Sequence, residues 1–158
     1  MSLRLCRFSS IMSTAVSMSA AVAHLMELPA KMSYDRDLYV RLHRTLYPNF
    51  GRFAGVAEIL SVVLTAGLAW KDRQQRSDKL TLTTAAASSL VAAHGAFWTI
   101  VHPANTTMAN WPLEAIPPDW ERWRERWEYA HALRAVLVTG ALGALVWSEV
   151  QPRSVSAA

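Results

Sequence analysis

Cysteine is almost missing from this chain of 158 residues, in which Cys6 is the only one. A single cysteine excludes an internal disulfide and any metal cluster built from several cysteine ligands. Charged side chains are also few, at 18% of the residues, whereas 52% of the residues are hydrophobic. The charged residues are concentrated in short segments, and this distribution is what predicts the fold.

Four long segments contain almost no charge, and each is close to the length of about 20 mostly apolar residues that crosses a membrane. They are residues 8–28, 53–70, 80–101 and 129–150. Residues 59–69 carry no charge on any helical face, whereas a soluble four-helix bundle, the alternative architecture, would show a polar stripe there. We therefore predict an all-α integral membrane four-helix bundle that forms one domain over residues 1–158.

The first segment follows Arg4 and Arg7, so a cleaved targeting peptide is an alternative to a membrane span. Its length and its polar end at His24 and Glu27 favour a retained helix, which Pro29 is expected to end. Alanine, serine and threonine are frequent in the first and third segments. Small residues of this kind allow helices to pack closely in a membrane.

The connections on either side of the second span differ in character. In residues 35–46, Leu38, Leu42 and Leu46 recur at helical spacing, which predicts a short amphipathic helix at the membrane interface. Residues 71–79 are short and highly charged, and they predict a plain turn in solvent.

The connection between the last two spans, residues 102–126, contains four of the seven prolines. It predicts an ordered cap rich in proline and tryptophan, followed by a helix with Asp119 as its N-cap. Tryptophans at a membrane boundary commonly form an interfacial belt, and we assign to it Trp70, Trp111, Trp120 and Trp147. A solvated face is predicted for Glu121, Arg122 and Arg126.

The net charge is +4 and the pI is about 9.6. The basic residues flank the apolar segments and form no single stripe, so anionic lipid explains them better than nucleic acid, which we do not predict as a partner. Because basic residues flank both sides of the predicted membrane, the positive-inside rule does not decide the orientation. The compact basic turn at residues 71–79 favours cytoplasmic termini.

Histidines and other polar residues gather at the end of the predicted bundle that lies opposite the termini. Four crossings place the ends of the first and third spans beside the starts of the second and fourth. The residues that meet there are His24, Glu27, Tyr47, Asn49, Glu58, His94, Trp98, His102, Asn105, Trp123, Trp127, Glu128, His131 and Arg134. Ionisable side chains in a membrane usually face the bundle interior and pair with one another. We therefore predict a polar pocket beneath the two longer connections, and few ionisable groups in the other half.

Two of the chemistries open to such a pocket require a cofactor. Glu128-x-x-His131 has the spacing found in di-iron four-helix bundles, and Glu27, Glu58 and His94 are candidates to complete an iron or zinc site, although a second Glu-x-x-His is missing. Haem held by His94 and His131 is a weaker alternative, because no haem-attachment motif is present.

The third chemistry needs no cofactor. A neutral histidine works as a base near neutral pH. Arg134, Asn105 and indole N–H groups are suited to stabilising an oxyanion. Such a pocket would suit an apolar aromatic substrate that arrives from the bilayer.

Three segments resemble the anthrone oxygenase-like family of small four-helix membrane proteins, long described as a domain of unknown function. They are HLMELPAK at residues 24–31, VHPANTTMANW at 101–111 and RWEYAHALRA at 126–135. The resemblance extends over about residues 15–148. It implies a four-helix membrane fold and an oxygenase that converts an anthrone to an anthraquinone with O2. Many bacterial members have no assigned activity.

The resemblance also implies site residues, whereas Glu58 and His94 rest on spacing alone. The positions that match the family pattern are His24, Glu27, His102, Asn105, Trp127, Glu128, His131 and Arg134. In the implied mechanism, His131 beside Glu128 removes a benzylic proton from a phenolic tricycle. Arg134 and Asn105 hold the phenolate, and O2 attacks the carbanion. A non-catalytic membrane subunit that docks a partner is the alternative, and a homo-oligomer is compatible with both.

Overall fold

The computed structural model describes residues 2–151, without the side chain of Asn49, which was predicted at the polar end. Met1 and residues 152–158 of the predicted domain lie outside the described residues. Between residues 2 and 151 the chain is almost entirely helical and has no strand. Four helices are long and apolar enough to cross a membrane, and they are Leu3–Ser33, Phe50–Gln74, Leu80–Ala109 and Trp120–Val150. The predicted all-α membrane bundle is therefore confirmed.

The helical segments divide into four long rods and a roof. In chain order they are α1 (Leu3–Ser33), α2 (Arg36–Thr45), α3 (Tyr47–Gln74), α4 (Leu80–Ala96), a π-helical segment (Phe97–Val101), α5 (His102–Ala109), a 3₁₀ turn (Leu113–Ala115) and α6 (Trp120–Val150). Both α1 and α4 pack against α3 and α6. The short helix α2 contacts α3 and α5, and it covers the end of the bundle where α1 stops. We call α2 and residues 110–119 the roof, and the four rods are α1, α3, the segment from α4 to α5, and α6.

Each long helix turns one narrow face toward the bundle axis. Along α6, Val138, Ala141 and Leu145 are buried at intervals of three or four residues, which is the period of one helical face. On α4, Ala86 and Ala93 are fully buried. Alanine on facing helices lets their backbones approach closely, as is common between helices in a membrane.

The outward faces of the rods are apolar. Large exposed hydrophobic side chains on these faces include Val56, Ile59, Val63, Val91, Val136, Val146, Trp70 and Trp147. A contiguous apolar surface of this kind is unstable in water and is what a lipid environment requires. The belt positions predicted for Trp70 and Trp147 are accordingly exposed, whereas Trp111 is buried in the roof and its assignment to the belt is wrong.

The predicted helix ends were wrong at two prolines. Pro29 lies inside α1, which continues to Ser33, because Lys31 in that last turn is buried in ion pairs with Glu27 and Glu128. Pro103 lies inside the continuous helix Leu80–Ala109, just after the π-helical segment Phe97–Val101, which is the kind of local irregularity that accompanies proline in a helix. The third rod therefore runs on beyond residue 101.

The fourth rod begins earlier than residue 129, since α6 starts at Trp120. Asp119 stands at its N-cap as predicted, but its side chain makes no capping hydrogen bond. Glu121, Arg122 and Arg126 are exposed, which confirms the predicted solvated face.

The helix predicted between the first two spans exists as α2. Leu38 and Leu46 are each 43% exposed, whereas Tyr39, Val40 and His43 are buried. The leucines point away from the bundle because the Tyr39 and His43 side of α2 is the side that covers it. The exposed leucine face is compatible with the predicted position of this helix at the membrane interface.

The half of the bundle beside the termini also differs from the prediction that it carries few ionisable groups. Arg7 of α1 pairs with the fully buried Asp72 of α3, and its Nη1 lies 2.9 Å from Oε1 of Glu149 on α6. The Lys79 ammonium lies 2.9 Å from the other oxygen of Glu149. Residues 71–79 are therefore more than a solvent turn, because Asp72 ties them to the other rods.

Candidate functional site

A cavity of about 680 Å³ lies at the roofed end of the bundle. Its walls come from α1, α2, α3, α6 and the α4–α5 rod, so all four rods and the roof contribute. Sites for small molecules commonly measure about 300–1,000 Å³ and are mostly apolar with a few polar groups. The cavity has this size and this mostly apolar lining, since alanine, glycine, phenylalanine and valine residues surround a group of histidines.

Three buried imidazoles surround the indole of Trp127 at one wall. The ring centroid of His131 lies 4.2 Å from that of Trp127 and 4.3 Å from that of His24. The ring centroid of His43, from the roof, lies 5.2 Å from that of Trp127. The predicted convergence of His24, Trp127 and His131 is present, and His43 joins them.

Arg134 determines the proton position on His131. Its Nη1 lies 3.1 Å from Nδ1 of His131. Because a guanidinium only donates hydrogen bonds, Nδ1 accepts, and the neutral ring must carry its proton on Nε2. The other terminal nitrogen of Arg134 donates to Oε2 of Glu58 over 2.5 Å, which links α6 to α3. Arg134, rather than Glu128, therefore orients His131.

The second oxygen of Glu58 connects this pair to α4. Trp98 donates from Nε1 to Nε2 of His94 over 3.0 Å, so the proton of His94 lies on Nδ1. That nitrogen donates to Oε1 of Glu58 over 3.3 Å. The predicted shared face of His94 and Trp98 is confirmed, and both residues line the cavity.

Behind the histidines lies a buried ammonium group. The Nζ of Lys31 is 3.0 Å from Oε2 of Glu27, 3.3 Å from Oε2 of Glu128 and 3.3 Å from Nδ1 of His24. A protonated amine only donates, so the neutral His24, like His131, carries its proton on Nε2. Lys31 was not among the predicted site residues. Its spacing of four from Glu27 was the available signal.

Two tyrosines complete the shell around these carboxylates. Tyr39 donates to Oε1 of Glu128 over 3.2 Å, and Tyr47 donates to Oε2 of Glu27 over 3.1 Å. Burial, and next the charge of Glu128, raise the pKa of Tyr39 above its ordinary value. Tyr39 therefore stays protonated and remains a donor. Glu27 and Glu128 are thus satisfied, and neither lines the cavity.

Asn105 meets the cavity with a fixed orientation. Trp127 donates from Nε1 to Oδ1 of Asn105 over 2.6 Å. Because indole nitrogen cannot accept, the oxygen of the amide must face Trp127. The amide N–H₂ group of Asn105 is then the part that can donate to a molecule in the cavity.

His43 was missed by the sequence analysis, although it lines the cavity and is only 5% exposed. Its Nδ1 is buried without a hydrogen-bond partner. Burial, and next the positive charges of Lys31 and Arg44, lower the pKa of His43 to about 4. The ring is therefore neutral at pH 7. The available signal was a spacing of four that joins Tyr39, His43 and Tyr47 in one stripe.

Other predicted site residues lie apart from this arrangement. His102 is exposed, does not line the cavity and stacks on Trp98 with ring centroids 4.9 Å apart. From residue 2 to residue 151, no three histidine, cysteine, aspartate or glutamate side chains are grouped to hold a metal. The five predicted ligands fall into two sets. Glu27 and Glu128 pair with Lys31. In the other set, Glu58 contacts His94 directly and is linked to His131 by Arg134. These engaged donors do not fit a shared metal.

The mouth of the cavity opens on the side of the bundle. The lining residues that are exposed mark this opening, and they are Pro48, Gly51, Arg52, Ile59, Trp98 and Ala109. They lie on the first half of α3 and on the α4–α5 rod. Ile59 also belongs to the apolar outer face of α3, so the mouth meets the membrane near its interface.

Comparison of the chain with protein-family models, with curated proteins and with solved structures finds no match. The site must therefore be interpreted from its own geometry. That geometry is an apolar cavity with one polar wall, in which an arginine and neutral histidines are aligned.

Proposed function

We propose that this protein is a membrane oxidoreductase that binds a flat, apolar phenolic molecule, such as an anthrone, and oxidises it with O2. The observation that carries the proposal is the side-opening cavity, in which Arg134 and three neutral imidazoles form one wall of an otherwise apolar space. The resemblance of residues 24–31, 101–111 and 126–135 to the anthrone oxygenase-like family supports the same substrate class.

The polar wall suits a phenol that becomes an anion. Arg134 neutralises Glu58 and donates to His131, and this leaves the N–H of His131 as a further donor. Donors that are fixed before the reaction stabilise developing negative charge strongly in a dry site. We assign His131 and Asn105 to the phenolate oxygens, with Arg134 as the cation that holds His131 in place.

The proton acceptor in this proposal is His43 rather than the predicted His131. Nδ1 of His131 is engaged by Arg134. His43 lines the cavity, and because its Nδ1 is buried, we assign the acceptor role to its other ring nitrogen, Nε2. Burial makes His43 a weak base, but an anion formed beside it raises its affinity for the proton. In the first step, His43 removes a proton from the benzylic CH₂ group while negative charge develops on the phenolic oxygen.

The remaining steps balance without another reductant. The carbanion transfers one electron to O2, the resulting radical pair forms a C–O bond, and the peroxide anion takes the proton back from His43 to give a hydroperoxide. His43 then removes the second benzylic proton as the O–O bond breaks, which forms the ketone, and it gives this proton to the departing hydroxide to form water. In sum, one CH₂ group and one O2 give one C=O group and one water molecule.

The test uses full-length protein purified in detergent and supplied with a hydroxylated anthrone. O2 consumption and quinone absorbance are followed for the wild type, for Arg134→Gln and for His43→Gln. We expect each substitution to lower kcat by about 100-fold or more, because each removes a group that acts in the transition state. The matched control is Arg122→Gln, the same change at an exposed position of α6, and it should keep wild-type turnover.

Two results would reject the proposal. One is substrate oxidation by the wild type at the rate of the buffer alone. The other is wild-type turnover in folded Arg134→Gln and His43→Gln proteins, as judged by helix content and gel filtration. Tight binding of the anthrone without oxidation would favour the alternative of a non-catalytic binding subunit.

A further inference from the structure

The charged residues that line the cavity do not balance. Three arginines, Arg44, Arg52 and Arg134, stand against a single carboxylate, Glu58. With the histidines neutral, the lining therefore carries a net charge of +2. A cleft lined by one sign of charge attracts and concentrates ligands of the opposite sign. The charge of the lining thus indicates an anionic ligand.

The surplus positive charge belongs to Arg44 and Arg52. The guanidinium of Arg134 is matched, because it forms an ion pair with Glu58 at the inner wall. Neither Arg44 nor Arg52 forms an ion pair with any carboxylate between residues 2 and 151. These two cations are therefore the ones that an anionic ligand would neutralise.

Both of these arginines lie at the mouth of the cavity. Arg52 is one of the exposed mouth residues, in the second turn of α3. Arg44, in the last turn of α2, donates from Nη2 to the carbonyl oxygen of Ala109 over 3.1 Å. Ala109 is another mouth residue. The two cations thus reach the mouth from different elements, one from the roof and one from a rod.

Arg44 keeps a donor for a ligand. Its Nε is buried and its Nη2 is engaged by the backbone, which leaves Nη1 without a hydrogen-bond partner among the described residues. The charge of Arg44 also acts on the neighbouring His43, whose pKa it helps to lower. An anion that pairs with Arg44 would therefore lie close to the proposed base. Hydrogen bonds between a guanidinium and a carboxylate are among the strong ones in proteins.

A carboxylate on an aromatic body suits this arrangement better than a lipid headgroup. The mouth meets the membrane near its interface, where a carboxylate keeps its charge. Behind the mouth, the cavity is mostly apolar and is lined by rings that include Phe50, Phe97 and Trp98. An anionic lipid would place only its headgroup here and leave its acyl chains in the bilayer, so it would not use this lining.

We infer that the ligand of the cavity is an aromatic carboxylate, which binds Arg44 and Arg52 at the mouth while its rings occupy the apolar space. The inference rests on the proposed function for the direction of the rings, since the phenolic end then faces His131 and Asn105. The argument from charge rests on the arginines alone. Arg44 and Arg52 select the ligand and position it, because the charged end enters last and the opposite end reaches the inner wall.

The test compares the binding of anthraquinone-2-carboxylate and of the neutral anthraquinone-2-carboxamide to the full-length protein in a nonionic detergent. Both probes are already oxidised, so calorimetry measures binding without turnover, and each concentration is corrected for partition into protein-free micelles. We expect the carboxylate to bind about 10-fold more tightly or better. Arg44→Gln and Arg52→Gln should each weaken binding of the carboxylate and leave binding of the carboxamide unchanged.

Two further variants separate charge from structure. Arg44→Lys keeps the positive charge and should retain part of the preference for the carboxylate. Arg41→Gln is the matched control, because it makes the same change as Arg44→Gln at an exposed position of α2 outside the cavity. It should bind both probes like the wild type.

Equal affinity of the wild type for the two probes, or no measurable binding of either, would overturn the inference. So would an unchanged preference in the folded arginine variants. Arg52 is exposed, so Arg52→Gln keeps the test decisive if Arg44→Gln does not fold. Release of the bound carboxylate by phosphatidylglycerol, but not by phosphatidylcholine, would assign the two arginines to a lipid headgroup instead.

The outcome is separable from that of the oxidation assay. A preference for the carboxylate in a protein that oxidises no anthrone would refute the proposed function and leave this inference standing. Oxidation of anthrones by a protein without this preference would refute only the inference.

Discussion

At the scale of single residues, Lys31 is the group on which the polar cluster most depends. Its side chain is 3% exposed, and it neutralises Glu128, whose side chain is completely buried. Removing one partner of a buried ion pair leaves the other charge buried and unpaired, in surroundings that solvate it poorly. The cost of such a change is much larger than the contribution of an exposed pair.

We expect Lys31→Met to lower the free energy of unfolding by about 3–5 kcal/mol, measured by thermal or denaturant unfolding in detergent. Arg36→Met removes a cation from the exposed pair with Asp37 and should change the free energy of unfolding by about 1 kcal/mol or less. Adding Glu128→Gln to Lys31→Met removes the stranded charge and should recover much of the loss. Equal stability of Lys31→Met and Arg36→Met would contradict this role for Lys31.

The neutral state of His43 makes stability depend on pH. The folded protein binds the proton of His43 only near pH 4, whereas the unfolded chain binds it near pH 6.5. Between these values the unfolded state holds more protons, so stability falls as the pH falls from about 6.5 to about 4. The full contribution is on the order of 3 kcal/mol.

The measurement is the unfolding midpoint against pH for the wild type and for His43→Gln. The variant should have a shallower dependence in this window, and His102→Gln, at an exposed histidine, should keep the wild-type slope. Parallel curves for the wild type and His43→Gln would show that His43 does not titrate as described.

The residues of the site could be predicted from the sequence only in part. The spacing of polar residues along the helices predicted that His24, Trp127, His131 and Arg134 lie close together, because helix geometry fixes which side chains share a face. It could not identify which group pairs with which, and Glu128 was assigned to His131 instead of Lys31. Such choices depend on the distances between helices, which a single sequence does not state.

At the scale of helices, α2 closes the cavity, and its first turn is held by one side chain. Asp35 accepts a hydrogen bond from the backbone N–H of Leu38 over 2.9 Å. Loss of such a cap typically costs about 1 kcal/mol. Because α2 is only ten residues long, it depends on its cap and on the burial of Tyr39, Val40 and His43.

We therefore expect Asp35→Ala to loosen the roof without unfolding the rods. Amide hydrogen exchange should become faster across α2, with little change in α3 or α6. Asp119→Ala is the control, because Asp119 occupies the same N-cap position of α6 but makes no side-chain hydrogen bond. Equal exchange in α2 of the wild type and Asp35→Ala would show that the cap has no part in holding the roof.

The existence of the helices could be predicted, whereas their ends and faces could not. Pro29 and Pro103 are ordinary stop signals, yet both lie within rods. Tertiary contacts of the last turn of α1 outweigh the local preference at Pro29, and a π-helical segment precedes Pro103. In α2 the leucines formed the more regular apolar stripe. Tyr39 and His43 are buried there because they reach hydrogen-bond and ring partners in the bundle.

At the scale of the whole molecule, four rods that each cross the membrane once would place residues 2 and 151 on the same side of it. A reporter cysteine at Gln75 should then lie on the side opposite a reporter at Glu114, since both positions are exposed and at opposite ends of the bundle. In a Cys6→Ala background, an impermeant maleimide applied to intact cells should label one reporter only. With cytoplasmic termini, Glu114→Cys is the reporter that reacts. Labelling of both from outside would contradict the four-rod topology.

The fold class followed from the sequence because charge is excluded from whole segments rather than from single faces. The buried ion pairs of Arg7, Asp72 and Glu149 did not follow, since in sequence they are indistinguishable from the charged flanks of a span. Long-range pairing of this kind depends on the register between rods, and only the assembled bundle sets that register.

The sideways mouth of the cavity has a consequence for how the protein would be assayed. A molecule that enters between Ile59 and Trp98 is first dissolved in lipid or detergent. Its effective concentration is then its mole fraction in that phase, which is set by its partition coefficient and not by its amount per litre of buffer. Adding lipid at a fixed total amount of substrate dilutes the substrate in the lipid phase and should slow its binding to the protein. Apparent affinities from different detergent preparations therefore become comparable only when the substrate concentration is expressed per volume of lipid or detergent phase.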